Sequence, residues 1–318
     1  MAVTRRRILA FAGAAASCGK RATGIPVRVA LFRGEEFTPL CKALDYFSAE
    51  GLDADVAELQ SSSKAMQAMF GGSTDVVAGG YDHAIRLAAE GRKSRSFLVM
   101  TTRSPLGLVA SPKSPRIRRI EDLEGATVGI SAYGSSGHHF VVYLLRKRGL
   151  SEKDVKFTAT GGGHTVTVAS IEHGELDAIV TLPASLAILR ARYPSIAILA
   201  NGATVEGTRE IFGVDRYPGI CLMARGEWIA ANGEAVARLR RAMLRTLDWV
   251  RTHSAEELLA KLRNRPAEPG EIEGLREAIA ICSVDGRMPP GGPEAVRDML
   301  AASVPEVRNV DLAETFSD

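Results

Sequence analysis

From Val27 to Ala224 the chain alternates short apolar runs with amphipathic segments, and few folds tolerate that order. Runs of four to eight apolar residues bounded by Gly, Ser or Asp read as strands, and the segments between them carry helical spacing. Strand and helix in strict alternation give an α/β fold, with helices packed on mostly parallel sheets. The expected strands are Val27–Leu31, Asp53–Leu59, Asp75–Ala78, Phe97–Thr102, Leu106–Ala110, Ala126–Ile130, Val155–Thr160, Asp177–Thr181, Ala197–Ala200 and Ile220–Ala224. Thr38–Glu50 reads as one helix closed by Gly51, and Ser61-Ser62-Ser63 opens another that stops at Gly71-Gly72. Beyond Glu227 the chain is mostly helical. Leu239, Met243, Leu247 and Val250 form a core-facing stripe, so Ala235–His253 and Ala255–Asn264 are expected to brace the first half.

The rhythm restarts near Leu106. Gly71-Gly72-Ser73-Thr74-Asp75-Val76 in the first half is answered by Gly174-Glu175-Leu176-Asp177-Ala178 in the second. Two related units facing one another across a cleft fit this weak duplication, which is too irregular for a solenoid. The division expected is residues 25–105 plus 216–318 for one lobe and 106–215 for the other.

Charge narrows the partners. The chain has 318 residues, with 40 Lys and Arg against 37 Asp and Glu. Three of those bases, Arg5-Arg6-Arg7, precede the apolar run Ile8–Ala16 and then Ser17-Cys18, the pattern of an export signal over residues 1–18. The run is far shorter than the roughly 20 apolar residues that cross a bilayer. Without the signal, bases and acids balance at 37 each, so no basic face is left for nucleic acid. Arg116, Arg118 and Arg119 sit beside Glu121, Asp122 and Glu124 and read as a solvated patch. Thr4–Leu9 resembles a twin-arginine signal. Ala15-Ala16-Ser17-Cys18 resembles a lipoprotein box with Cys18 lipidated, plain cleavage after Ala16 being the alternative. Either way the expected location is periplasmic or otherwise extracytoplasmic.

Cys41, Cys221 and Cys282 are widely spaced, with no CxxC, and read as buried free thiols. His138-His139 lacks a third ligand at metal spacing, so neither a metal nor another cofactor is expected.

In sheets of this kind the ligand crevice lies at the carboxyl ends of the strands, where helix N-termini offer free N–H groups. The residues there are small and polar: Ser62 and Ser63, Gly80, Thr101 and Thr102, Ser135 and Ser136, Gly163 and His164, and Thr181, with Pro183 opening the next helix. Arg33 is expected at the rim, where it could clamp a sulfonate or carboxylate. Glu35 or Glu36 would pair with an amine, and Phe37, Tyr81 and Tyr217 offer aromatic walls. Each Ser, Thr or Gly is equally a capping residue. His83 is expected on an early helical turn, pointing to solvent.

Four phrases carry a resemblance: Tyr46-Phe47-Ser48-Ala49-Glu50-Gly51-Leu52-Asp53, Gly72-Ser73-Thr74-Asp75-Val76-Val77, Asp122-Leu123-Glu124-Gly125-Ala126-Thr127-Val128-Gly129 and Gly174-Glu175-Leu176-Asp177-Ala178. In this order the chain resembles periplasmic solute-binding proteins of ABC importers, in the nitrate, sulfonate, taurine and thiamine-pyrimidine-precursor branch. Ala126 stands where that family commonly has Lys, at a position expected to be exposed. The resemblance implies a two-lobe type II periplasmic-binding fold, each lobe a mixed sheet flanked by helices, joined by two crossing strands. It also implies a monomer that captures a small anionic or zwitterionic solute and delivers it to a membrane permease, with no chemistry of its own. The alternative is an enzyme like the thiamine-pyrimidine synthase of the same fold. That enzyme needs a cysteine cluster that this chain's scattered cysteines do not resemble. Gly134-Ser135-Ser136-Gly137 lacks the spacing of a hydrolase elbow.

Overall fold

The computed structural model describes residues 24–263 and 265–317. The first part of the chain forms β1 (Ile25–Phe32), α1 (Phe37–Ala43), α2 (Tyr46–Ala49), β2 (Leu52–Leu59), α3 (Ser62–Phe70), β3 (Val76–Gly80), α4 (Asp82–Ala89) and β4 (Ser94–Val99). The middle forms β5 (Gly107–Ala110), β6 (Thr127–Ile130), α5 (Ser136–Lys147), β7 (Lys156–Ala159), α6 (His164–His173), β8 (Ala178–Thr181), α7 (Pro183–Arg192), β9 (Ile198–Asn201) and α8 (Val205–Phe212). The chain then returns through β10 (Ile220–Arg225) to α9 (Gly226–Ala231), α10 (Gly233–Thr252), α11 (Ala255–Leu262), α12 (Glu271–Ala280) and α13 (Gly292–Leu300).

Two five-stranded sheets result, in the orders β2-β1-β3-β10-β4 and β7-β6-β8-β5-β9. In the first, β1 is parallel to β2 and β3 while β10 runs antiparallel to β3 and β4. In the second, β6 is parallel to β7 and β8 while β5 runs antiparallel to β8 and β9. The two orders are the same. The antiparallel strand is supplied in one sheet by the chain returning, in the other by the chain arriving.

The duplicated phrase has a physical cause. Asp75 donates its N–H to the Arg28 carbonyl at 2.9 Å, and its Oδ2 accepts the Arg28 N–H at 2.9 Å. Asp177 does the same to Thr127, at 2.8 Å and 2.9 Å. Each aspartate thus fixes the start of the third strand against the first. Arg28 also grips Asp75 through its guanidinium, which with the N–H bond holds that carboxyl below its ordinary range.

The sheets are joined by residues 100–106 and, after α8, by 213–219, which lie side by side. Tyr217 donates its N–H to the Thr102 carbonyl at 2.8 Å and Gly219 to that of Thr101 at 3.1 Å, while Gly202 donates to Leu106 at 2.9 Å. Such a short, mutually bonded pair of crossings is where two lobes can hinge. The C-terminal helices cover both lobes. α10 buries Leu239, Met243, Leu247 and Val250 in the core of the first sheet. α12 lies on α7, and α13 packs between α4 and α5.

Some expectations need correction. The single helix over Thr38–Glu50 is two, broken at Asp45, whose φ is +56°. Gly79 and Gly80 belong to β3 itself. Ala126 is fully buried, because it enters β6 in the core beside Leu123 and Val128. The C-terminal region braces more than the first lobe. Arg116, Arg118 and Arg119 are exposed, and Cys41, Cys221 and Cys282 are buried free thiols, as expected. The export signal and Cys18 lie outside the described residues.

Candidate ligand-binding site

Each of the six parallel strands ends at one cavity of about 90 Å³ between the sheets. Phe32 and Arg33 come from the end of β1, Gln60 and Ser61 follow β2, and Gly80 ends β3. Ser131 follows β6, Thr160 follows β7, and Thr181 and Leu182 come from the end of β8. The crossings supply Ser104, Pro105 and Leu106 on one side and Tyr217, Pro218 and Gly219 on the other.

Three helices begin at this cavity with a hydroxyl cap or a glycine. Ser61 caps α3 by accepting the Lys64 N–H, and Ser135 caps α5 by accepting the His138 N–H. Gly163 precedes α6 with φ +88°, and a Cβ there would run into the aliphatic stem of Arg33. The unpaired N–H groups of these first turns lend partial positive charge to the cavity wall.

The lobes meet directly at the floor. Ser136 at the start of α5 donates its hydroxyl to Asp82 Oδ1 at 2.6 Å, across from α4. Gly80 leaves room for this bond, since a Cβ there would fall on both oxygens. Beside it, His83 Nε2 lies 2.8 Å from Ser62 Oγ. His83 is fully buried, and burial lowers its pKa, so the imidazole is held neutral. His139 of α5 is pushed down to about 4 for the same reason, with its Nδ1 2.7 Å from Ser303 Oγ.

Of the expected site residues, Arg33, Ser62, Gly80, Ser135, Ser136, Gly163, Thr181 and Tyr217 line the cavity. Arg33 stands at the exposed rim with its Nε 3.2 Å from Glu58. The others lie elsewhere. Glu35 is buried and accepts the N–H groups of Phe37 and Thr38, capping α1. Phe37 is core, and Ser63 turns back to bond Ser61 Oγ at 3.0 Å. The Tyr81 hydroxyl is bonded to Thr315, 2.5 Å away in the core. Thr101 Oγ1 accepts the Ile220 N–H at 2.9 Å and Thr102 bonds the crossings, so both are hinge residues. His164 Nε2 pairs with Glu36 Oε1 at 2.9 Å in a separate, open groove. Pro183 starts α7 under α12, leaving Leu182 and Ser185 at the cavity. His83 does not face solvent as expected, because its face of α4 lies against α3.

Ser104, Ser131, Thr160 and Ser185 line the cavity but were not singled out, and Asp82, which the run Tyr81-Asp82-His83 brought to notice only as a catalytic pattern, lines it too. Asp82, Ser131 and Thr160 stand at or just past strand ends, which is the signal that could have found them.

The family model for NMT1/THI5-like proteins matches residues 37–257. The chain belongs to the NMT1/THI5-like family. No curated protein matches significantly. Among solved structures, a protein from Bordetella bronchiseptica RB50 is 28% identical, with TM-score 0.86 over 93% of this chain and 95% of that one. The alkanesulfonate-binding protein SsuA from Xanthomonas axonopodis pv. citri, bound to MOPS, is 17% identical, with TM-score 0.70 over 92% and 98%. The periplasmic nitrate-binding protein NrtA from Synechocystis PCC 6803 is 13% identical, with TM-score 0.68 over 92% and 86%. Membership and these likenesses establish the two-lobe periplasmic-binding-protein fold for this NMT1/THI5-like chain. Among the described residues no helix is long and apolar enough to cross a membrane.

Proposed function

We propose that this chain is the extracytoplasmic solute-binding component of an ABC importer. It encloses a small anionic or zwitterionic solute, of sulfonate, nitrate, carboxylate or pyrimidine type, and presents it to a membrane permease. The observation that carries the reading is the convergence of all six parallel strand ends on one cavity between the sheets. A binding protein needs that arrangement, because contacts made only when both lobes touch the ligand drive closure. The proposed lobes are residues 25–105 with 216–318, and 106–215. The crossings at residues 100–106 and 213–219 serve as the hinge, and opening there separates Ser136 from Asp82. The protein acts as a monomer.

The test is thermal denaturation of the purified protein against sulfonates, nitrate, carboxylates, pyrimidines and amines. A true solute at 100 times its Kd adds about 2.7 kcal/mol. Ser62→Ala and Ser135→Ala each shrink that gain. Retention of the full shift in both variants overturns the site, and covalent turnover of the bound solute overturns the transport role.

A further inference from the structure

We propose that Asp82 selects the solute: the molecule enclosed carries a nitrogen donor group, an ammonium, amidinium or ring amine, that pairs with the Asp82 carboxylate. This rests on the solute-clamp reading above and narrows it.

Asp82 is 4% exposed and lies on the wall of the cavity. Its Oδ1 takes the Ser136 hydroxyl, whereas its Oδ2 is buried with no partner. Among the described residues no lysine or arginine forms an ion pair with it. Arg86, one turn further along α4, is committed to Glu90, and Arg33 to Glu58 at the exposed rim. The imidazoles of His83 and His139 feel the Asp82 charge, yet burial drives both toward the neutral form. A buried carboxylate without a counter-charge is strongly unfavourable, and native proteins complete such groups with a partner.

With Oδ1 already taking the Ser136 hydroxyl, Oδ2 is left as a buried acceptor, so what completes it must donate. A plain oxyanion would set acceptor against acceptor here. The rest of the cavity suits the opposite end of the same molecule. Thr181 Oγ1 is buried and unpartnered, and the first turns of α3 and α5 present N–H groups. His83 Nδ1 is also without a partner. An orphaned acceptor costs less than an orphaned N–H, which puts the proton on Nε2 and frees the Ser62 hydrogen for the ligand's acceptor end. The site therefore reads a donor at Asp82 and an acceptor at the helix ends.

Calorimetric titration with matched pairs tests this: β-alanine against propionate, 2-aminoethanesulfonate against ethanesulfonate, and 4-aminopyrimidine against pyrimidine. The expected result is at least tenfold tighter binding of the nitrogen-bearing member in every pair that binds. Asp82→Asn keeps an oxygen for Ser136 and should abolish that preference; should the variant not fold, the wild-type ratio decides alone. Equal or tighter binding of the amine-free member, or a preference that survives in Asp82→Asn, overturns the assignment and leaves the solute clamp standing. Failure of every member of every pair to bind at millimolar concentration removes the clamp reading and this one with it.

Discussion

Gly274 of α12 sits directly on Ala184 of α7, so that a Cβ at position 274 would meet the Ala184 Cα and fall 2.8 Å from the Pro183 carbonyl oxygen. Gly270 makes a similar approach to Ala187 and Ile188 one turn away, and Arg190 pairs with Glu277 at 2.7 Å. Backbone-to-backbone packing of this kind leaves no flexible side chain to yield. Gly274→Val is therefore expected to cost about 1–3 kcal/mol by overpacking. Gly233→Ala, at an open position in the first turn of α10, should instead be neutral or stabilising by up to about 1 kcal/mol. Thermal melts of the two variants check the contrast, and equal losses would contradict it.

The paired aspartates give a second expectation. Asp75→Ala and Asp177→Ala each strip the acceptor from a strand N–H, of Arg28 and Thr127. Asp177→Ala also removes the acceptor of Ser114 Oγ, 2.6 Å away. Each variant should lose about 1–3 kcal/mol in urea unfolding. If the symmetry of the two lobes is energetic as well as geometric, the two losses agree within about a factor of two.

Two buried groups give opposite pH trends. Burial raises the Glu35 carboxyl from 4.5 to about 7, so the folded chain holds a proton that the unfolded chain releases. Its contribution is full below about pH 4.5 and is lost as pH rises through 7. His139 is lowered from 6.5 to about 4, so the unfolded chain takes the proton first. Its contribution is full above about pH 6.5 and is lost as pH falls through 4. Each window is worth on the order of 3 kcal/mol. Glu35→Gln should flatten the loss between pH 4.5 and 7, and His139→Gln the loss between pH 6.5 and 4. Stability–pH curves of both variants that parallel the wild type would refute the assignment.

At the open groove, Glu36 Oε1 accepts from both sides of the cleft. His164 Nε2 is 2.9 Å away on α6 and Arg263 Nη2 is 3.1 Å away just past α11. This pairing helps hold the closed form without touching the cavity. His164→Ala should weaken solute binding by about fivefold or less, the range of a single hydrogen bond, through faster release. A stopped-flow displacement measurement separates that from a loss of association rate.

Much of the fold was legible because strand and helix boundaries here follow local chemistry. Gly51, Gly71-Gly72, Gly149 and Gly174 end helices or turns at positions where small residues are needed, and the apolar runs between them are short enough to be strands. The break at Asp45 was not legible, since Leu40, Ala43, Leu44 and Phe47 keep a helical stripe straight through it. Ser62, Ser135, Ser136 and Gly163 were expected at the cavity because they follow strands and open helices, and they do line it. Phe37, Tyr81 and Pro183 were misplaced, because nothing local distinguishes an aromatic or a proline at a cavity rim from one in the core.

The sequence by itself determined the α/β alternation, the doubled Asp-centred strand start and the set of small polar residues at strand ends. Those are local or nearest-strand properties, written in propensity, periodicity and capping. Only the tertiary structure decided that Ser136 reaches Asp82, that His83 turns inward to Ser62, and that α12 rests on α7 rather than on the first lobe alone. These pairings join residues 54, 21 and about 90 positions apart, and they depend on how two sheets are set face to face. No local pattern encodes that setting, because it is fixed by the packing of both lobes and the crossings at once.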